Sequence, residues 1–283
     1  MLLDNIEKGI ELLTKHIEAG NEIYLPIDPD VDGYTSAALF YNYLTDNNFN
    51  ANIVYHVPEG KEHGLSTIMN WFNQSTNGAL VVCLDSSSND YEEHEELKKR
   101  GYDVLVIDHH EAERYSENAV VINNQLSQDY PNKDLSGVGV VYKFFELFET
   151  MTSTSITTPI KEYRDLVALG MISDVMKMNS LENRFICKYG LSHINNNFFR
   201  TLTKKQCFSL FGIGEDKWTD EYYTNGAMTQ IKVAFYITPL INALIRVGNE
   251  LEKTRLFEAF IRPSVLVPST KRGEKGKEET ICT

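Results

Sequence analysis

Short, nearly continuous apolar runs alternate with helical patterns along the first half of the chain. Such runs are typical of strands buried on both faces of a parallel sheet, whereas a strand with one wet face alternates apolar and polar residues. The sequence therefore predicts an α/β fold: a doubly wound, mainly parallel sheet with helices on both faces. The predicted strands are Glu22–Ile27, Ala51–Val57, Ala79–Leu84, Asp103–Ile107 and Ala119–Ile122.

Helical spacing of apolar residues fills the gaps between these strands and dominates after about residue 135. Residues 151–159 and 203–230 have the character of a polar loop and an irregular segment. We predict one domain over residues 1–195, a helical linking region over 196–260, and the start of a second domain or a disordered tail over 261–283. The predicted helices are Thr35–Leu44 with Thr35 or Ser36 as N-cap, Ser66–Phe72, Tyr91–Arg100, Val138–Glu149, Lys161–Ser173, Glu182–Ile194 and Gln230–Phe260.

Composition narrows the class of protein. No stretch approaches the roughly 18 apolar residues that a membrane span needs, and the N-terminus has no basic start that would suggest an export signal. The four cysteines form no C-x-x-C pair, which favours reduced thiols in a cytoplasmic protein. The net charge of −13 argues against a general nucleic-acid coat protein but not against a nuclease, because bound cations cancel acidic ligands.

Acidic residues follow the predicted strands at the points where the strands end. Because the carboxyl ends of parallel strands gather ligands at one edge of an open sheet, we expect these side chains to lie close together. A single aspartate there would be an ordinary turn or cap residue, but the pattern recurs at three strand ends. The residues are Asp28, Asp30 and Asp32 after the first strand, Asp85 after the third, Asp108, His109 and His110 after the fourth, and Asp174 after a helical pattern.

Clustered carboxylates need cations, because several of them cannot stay ionised within a few ångströms of one another. Carboxylate oxygen and imidazole without thiolate suit Mn²⁺ or Mg²⁺, and five aspartates with one histidine suffice for two such ions. A calcium loop beginning at Asp28 is disfavoured. Its twelfth position is Leu39 instead of glutamate, and a strand precedes it instead of a helix.

The sequence resembles the DHH phosphoesterase family, and within it the RecJ branch. Asp108-His109-His110 is similar to the motif that names the family, and Asp85 to its second motif. Further similar segments, in the expected order between about residues 22 and 250, are 28–36 (DPDVDGYTS), 136–143 (SGVGVVYK), 166–174 (LVALGMISD), 182–184 with 190–191, and 239–248 (PLINALIRVG). One departure is Ile245, where RecJ carries glycine.

The resemblance implies a role for each site residue. Asp108 would lie in the second coordination sphere and orient the ligands. His110 would face the substrate and contact the scissile phosphate. Ser136 and Gly137, at a helix start, could bind phosphate oxygens through backbone N–H groups. Asn242 and Arg246 could contact a nucleic-acid backbone or serve structurally, and Lys61 and His63 could reach phosphate, although a solvated loop is the simpler interpretation. The implied metal ligands are Asp28 and Asp30 for one ion, Asp32, His109 and Asp174 for the other, and Asp85 between them.

The implied activity is two-metal hydrolysis of single-stranded DNA from its 5′ end, with release of 5′ mononucleotides. Short RNAs or cyclic dinucleotides are alternative substrates, DHH pyrophosphatases are more distant relatives, and a non-catalytic DNA-binding scaffold is an alternative of another class. Family members continue into a second domain with a glycine-rich, histidine-containing motif that this chain lacks. Residues 269–273 (STKRG) resemble the opening of that domain, so we expect the chain to hold the metal-binding half of a larger enzyme.

Overall fold

The computed structural model describes residues 1–60, 63–73, 78–261, 264–268 and 278–282. Five parallel strands form one sheet in the order β2-β1-β3-β4-β5, which confirms the predicted fold class. Two further strands, β6 and β7, pair antiparallel near the end of the chain. The strands are β1 (Glu22–Pro26), β2 (Asn52–His56), β3 (Leu80–Leu84), β4 (Asp103–Asp108), β5 (Val120–Asn123), β6 (Ser264–Pro268) and β7 (Glu278–Cys282).

Helices cover both faces of the five-stranded sheet and make up most of the chain after β5. The described α-helices are α1 (Ile6–Ala19), α2 (Val31–Asp46), α3 (Tyr91–Lys99), α4 (Gly137–Met151), α5 (Arg164–Ser173), α6 (Leu181–Ser192), α7 (Asn197–Lys205), α8 (Cys207–Phe211), α9 (Glu221–Thr224), α10 (Gln230–Lys232), α11 (Thr238–Val247) and α12 (Glu250–Ile261). Shorter 3₁₀ segments are Ser66–Trp71, Ile160–Tyr163 and Glu215–Lys217, and Val233–Ile237 is a π-helix.

The strands are apolar throughout because successive residues point to opposite faces of the sheet and both faces are buried. In β3, Leu80, Val82 and Leu84 belong to the large core that includes residues of α1, α2, α4 and α5. Val81 and Cys83 point the other way, into a smaller core with Leu65, Phe72 and Leu97. Because both faces of the strand are buried, no position in it can be polar until the strand ends.

Several predicted elements differ in detail from the observed ones. The prediction that α2 starts at Thr35 with Thr35 or Ser36 as its cap is wrong: it starts at Val31, because the Asp30 side chain accepts a hydrogen bond from the N–H of Gly33 and caps the helix there. Ser66–Trp71 is a 3₁₀ turn instead of an α-helix. Residues 203–230 are largely short helices, and β7 was not predicted. Lys61 and residues 269–273 lie outside the described residues, and the predicted domain boundaries stay predictions.

No helix in the described part of the chain combines the length and apolar character needed to cross a membrane. Cys83, Cys187 and Cys207 are free thiols and buried. Burial raises the pKa of the Cys187 thiol to about 12, so this thiol is protonated at neutral pH.

A buried histidine on α3 predicts acid sensitivity of the fold. His94 is fully buried, and neither ring nitrogen has a hydrogen-bond partner among the described residues. Burial lowers the pKa of His94 to about 4. Between about pH 6.5 and pH 4 this histidine is therefore protonated in the unfolded chain but neutral in the folded chain. Stability is therefore lost as the pH falls through this window, by about 3 kcal/mol at most from this residue. We expect His94→Leu to flatten the acid limb in urea unfolding measured from pH 7 to pH 4.5.

His193→Leu is the matched control, because His193 is exposed and its ring is hydrogen-bonded to the neighbouring Ser192 hydroxyl. This variant should keep the pH dependence of the unmodified chain. Equal acid limbs for His94→Leu and the unmodified chain would show that His94 does not contribute to acid sensitivity.

Candidate metal centre

The candidate site lies where the sheet reverses its winding direction. From β1 the chain crosses to β2 on one side, whereas from β3 it crosses to β4 on the other. Pairing between β1 and β3 extends only from Ile23 opposite Leu80 to Tyr24 opposite Val81, so their carboxyl ends are not joined by ladder bonds. Crevices at such positions are the usual ligand sites of open α/β sheets. Asp28 follows β1 there and Asp85 follows β3.

The loop from β1 into α2 places three aspartates in a tight turn. Asp28 and Asp32 are buried, and Asp30 is the N-cap of α2. Gly33 is required by close packing, because a Cβ atom built on it would lie 2.5 Å from both the carbonyl oxygen and the Cβ of Asp28. A glycine after the third aspartate thus allows the helix to begin directly against the turn.

Asp85 occupies a strained backbone position at the end of β3. Its φ of 64° is uncommon for a residue with a side chain, and its N–H donates to the carbonyl oxygen of Ile107 at 2.9 Å. A Cβ atom built on Gly137 would lie 2.5 Å from the Asp85 Cβ and closer still to its Oδ1. The first residue of α4 must therefore be glycine for the Asp85 carboxylate to lie where it does.

The start of α4 is directed at Asp32. Ser136 Oγ donates to Asp32 Oδ1 at 3.0 Å and the Gly137 N–H donates to Oδ2 at 2.7 Å, with Val138 N–H at 3.4 Å from Oδ1. In this structure a carboxylate of the chain itself takes these donors, and the predicted contact of Ser136 and Gly137 with phosphate oxygens stays a prediction. The positive end of the helix dipole stabilises that carboxylate.

At the end of β4, Asp108 supports the two histidines that follow it. Asp108 Oδ1 accepts from the N–H of His109 at 2.7 Å and from His110 Nδ1 at 2.8 Å, and its Oδ2 accepts from the Ser88 N–H at 3.1 Å. Burial alone would raise the pKa of Asp108, but these hydrogen bonds bring it down to about 2. The hydrogen bond to Asp108 raises the pKa of His110 to about 9. Asp108 thus orients the ring of His110 and fixes the backbone at His109.

Asn123, at the end of β5, completes this support. It lies opposite Asp108 in the ladder and donates to Ser88 Oγ at 2.8 Å and to the His110 carbonyl oxygen at 2.9 Å. Asn123 is fully buried. The sequence prediction considered only acids and histidines at strand ends and missed it, although the same strand-end rule would have found it.

The structure brings the predicted ligands into groups that could hold metal ions. Within each group, one donor atom per residue lies within 4.8 Å of the others. His109 Nε2 lies 3.2 Å from Asp85 Oδ1 and 3.5 Å from Asp174 Oδ2. The groups are Asp28, Asp30 and His63; Asp32, His109 and Asp174; and Asp85, His109 and His110.

The electrostatics of these carboxylates fit divalent cations. Burial raises the pKa of Asp28 and of Asp174 to about 6, and burial together with the neighbouring carboxylates also raises those of Asp32 and Asp85. Among the described residues, no hydrogen bond reaches Oδ1 of Asp28, Oδ1 of Asp85 or Oδ2 of Asp174. Buried acceptors without donors are costly unless a cation or proton is nearby. Oxygen-rich donors with imidazole are suited to Mn²⁺ or Mg²⁺.

Two predicted contact residues form no hydrogen bond or ion pair with this cluster among the described residues. Asn242 and Arg246 are on α11, and neither side chain has a hydrogen-bond or ion-pair partner among the described residues. No described contact joins them to the carboxylates. Ile245, which replaces a family glycine, is buried in the large core and packs the helix onto the domain.

Residues 22–171, more than half of the chain, match the model of the DHH family, N-terminal domain. The chain therefore belongs to the DHH family, in agreement with its Asp108-His109-His110 motif and with the aspartates at the carboxyl ends of its strands. It is 38% identical over 278 residues to YorK of Bacillus subtilis, whose name provisionally describes a prophage-derived single-strand DNA-specific exonuclease; the match covers 98% of this chain and 44% of YorK. It is 32% identical to the single-stranded-DNA-specific exonuclease RecJ of Haemophilus influenzae, covering 68% of this chain and 35% of that protein.

The solved structure of RecJ from Thermus thermophilus in complex with Mn²⁺ has the same fold. It superposes with a TM-score of 0.70 at 24% identity and covers 93% of this chain and 35% of that one. The chain therefore spans less than half the length of these relatives.

Proposed function

We propose that the chain is a two-metal-dependent phosphodiesterase that degrades single-stranded DNA from its 5′ end and releases 5′ mononucleotides. The observation that carries the proposal is the pair of ligand groups at the switch point, Asp28, Asp30 and His63 beside Asp32, His109 and Asp174, with Asp85 at the end of the neighbouring strand. The names of YorK and RecJ support the substrate.

We propose Mn²⁺ as the favoured metal, with Mg²⁺ as the alternative. Both ions prefer oxygen ligands, but imidazole nitrogen suits Mn²⁺ better. When bound, two such ions lower the pKa of a bridging water and neutralise charge on a phosphodiester. The residues proposed to hold them are Asp28 and Asp30 for one ion and Asp32, His109 and Asp174 for the other, with Asp85 shared between the two.

The remaining residues position these ligands and the substrate. Ser136 and the N–H of Gly137 hold Asp32 from behind, which fixes the direction of its oxygens. Asp108 binds Nδ1 of His110, whose side chain is 54% exposed and therefore accessible to a phosphate oxygen. In this proposal His110 contacts the scissile phosphate, and Asp108 keeps its ring oriented.

Contacts further from the centre are proposed from the unpaired residues of α11. Asn242 and Arg246 offer an amide and a guanidinium that no described partner occupies, and both groups can bind a nucleic-acid backbone. With a net charge of −13, any DNA track on this chain is local, and binding should weaken steeply with salt.

Hydrolysis of labelled oligonucleotides tests the proposed function. Single-stranded DNA labelled at its 5′ end is incubated with the chain and Mn²⁺, beside a 3′-labelled copy, the duplex, a short RNA and a cyclic dinucleotide. We expect labelled mononucleotide to appear first from the 5′-labelled single strand, with little product from the duplex. The Asp129→Asn variant, which alters an exposed acid outside the centre, should behave like the unmodified chain.

Each of the other outcomes would support a different function for this chain. Cleavage of only the short RNA or the cyclic dinucleotide would keep the metal chemistry and overturn the DNA substrate. Binding of single-stranded DNA without cleavage of any substrate, in the presence of bound Mn²⁺, would favour the scaffold alternative.

A further inference from the structure

A short loop after β2 brings a histidine to the centre that the family motifs do not include. His63 Nδ1 lies 2.6 Å from Asp28 Oδ2, although 35 residues separate the two in the chain. The Asp28 side chain is 1% exposed and that of His63 is 55% exposed. The imidazole therefore covers a buried carboxylate from the solvent side, which a freely solvated loop would not do.

The loop is anchored in the position that makes this contact. Gly64 has a φ of 85°, which a residue with a side chain rarely adopts, so the chain can turn immediately after His63. The next N–H, that of Leu65, donates to Asp90 Oδ2 at 2.7 Å, and the Leu65 side chain is fully buried in the smaller core. His63 is thus fixed from its C-terminal side by a turn, a hydrogen bond and a buried anchor.

Asp28 retains an acceptor that these contacts do not satisfy. His63 pairs with Oδ2, whereas Oδ1 is buried and has no hydrogen-bond partner among the described residues. A buried carboxylate oxygen without a hydrogen-bond partner is costly unless a cation or a proton lies beside it. Asp30 cannot supply a positive charge, because it is itself an acceptor.

The two ligand groups also have the same composition. One contains Asp32, His109 and Asp174, and the other contains Asp28, Asp30 and His63, so each offers two carboxylates and one imidazole. Adjacent ligands of a six-coordinate ion with bonds of about 2.1 Å are about 3 Å apart. The 2.6 Å between His63 and Asp28 is close to this spacing, so a small movement would admit an ion between them.

We propose that His63 is a protein ligand of the metal ion held by Asp28 and Asp30, and that it gives this site its preference for Mn²⁺ over Mg²⁺. The inference rests on the two-metal centre of the proposed function but not on its substrate. The preference follows from the donor set, because an imidazole nitrogen favours Mn²⁺, whereas Mg²⁺ favours oxygen ligands and water.

The test is metal binding by His63→Ala, measured by titration calorimetry of the metal-free chain with Mn²⁺ and, separately, with Mg²⁺. The unmodified chain should bind two Mn²⁺ ions. In the variant one of the two should bind at least about tenfold more weakly, since even residues behind the ligands change metal affinity by about 10- to 100-fold. Mg²⁺ affinity should change less, so the ratio of the Mn²⁺ and Mg²⁺ affinities should fall.

A spectroscopic count of nitrogen ligands is a second readout. Pulsed electron paramagnetic resonance of the chain with two bound Mn²⁺ ions should detect nitrogen coupled to both, and His63→Ala should remove one of these couplings. His193→Ala is the matched control, because it removes an exposed imidazole outside the centre and should change neither measurement. Because His63→Ala also removes the partner of the buried Asp28 Oδ2, thermal unfolding of the metal-free variant is measured beside the titration to show that the variant is folded at the temperature of the titration.

Unchanged Mn²⁺ affinities and nitrogen couplings in His63→Ala would overturn the proposal. If the same variant bound inorganic phosphate more weakly, His63 would be a substrate contact instead of a ligand. Failure of the unmodified chain to bind two Mn²⁺ ions would overturn the two-metal centre itself, which is a different failure from an unaltered variant.

Discussion

Asp85→Asn should abolish the Mn²⁺-dependent hydrolysis and yet make the metal-free chain more stable. Asp85 is 1% exposed, and burial followed by the charge of Asp32 raises its pKa well above the ordinary value. Without cations, the buried Asp85 carboxyl must either keep a charge that its neighbours repel or take up a proton, and both cost free energy. A neutral amide avoids this cost, which is about 1–3 kcal/mol. Asparagine also tolerates the left-handed backbone at φ 64° better than most residues, so the turn itself should be preserved.

With cations, the same substitution should have the opposite effect. The ligand proposed to serve both ions loses its charge, so hydrolysis should fall on the order of 10³-fold. Thermal unfolding measured in a chelator and then in Mn²⁺ separates the two effects. The unmodified chain should gain stability on adding Mn²⁺, whereas the variant should gain much less.

Asp129→Asn is the control for replacing an aspartate by asparagine, because Asp129 is exposed and belongs to none of the ligand groups. It should keep both the activity and the response to Mn²⁺. If the metal-free Asp85→Asn chain were less stable than the unmodified one, the Asp85 carboxyl would be stabilised by its neighbours and not destabilised by them.

Gly137→Ala should reduce hydrolysis by about 10²- to 10³-fold without adding or removing any charged group. The new Cβ would collide with Oδ1 and Cβ of Asp85, so either the carboxylate or the start of α4 must move. The same helix start holds Asp32 through the Gly137 N–H, so movement there disturbs a second proposed ligand. Small displacements of catalytic groups cost factors of this size. Overpacking should also lower stability by about 1–3 kcal/mol.

Gly139→Ala is the matched control on the same helix. A Cβ at Gly139 would meet only the side chain of Leu135, at 3.1 Å, and that side chain can adjust. The better helix propensity of alanine, worth up to about 1 kcal/mol, offsets this contact, so activity and stability should stay near those of the unmodified chain. Full activity of Gly137→Ala, measured with the same labelled single strand, would contradict the assigned packing between Gly137 and Asp85.

Local pattern was sufficient to predict the sheet. The five strands were each predicted within one or two residues of the observed bounds, because a strand buried on both faces must be apolar throughout. The start of α2 was predicted four residues late. Thr35 and Ser36 are good caps in isolation, but Asp30 comes first and both caps the helix and lies in the centre.

The candidate ligands were found from the sequence for a related reason. Parallel strands carry their carboxyl ends to one edge, so acids that follow β1, β3 and β4 must meet there once the strand order is doubly wound. The same reasoning indicates that the start of α4 can bind an anion, but it does not say which one. In the structure the donors of Ser136 and Gly137 face Asp32 of the chain itself.

The sequence alone determined the fold class and predicted the candidate aspartates and histidines that follow the strand ends, because both follow from which residues are apolar and where the apolar runs stop. Only the tertiary structure decided which donors face which acceptors. It placed His63 on Asp28, Asn123 behind His110, and the start of α4 behind Asp32. These pairs are separated by 35, 13 and 105 residues in the chain. Their contacts depend on how loops and helices pack over the sheet, which no local pattern records.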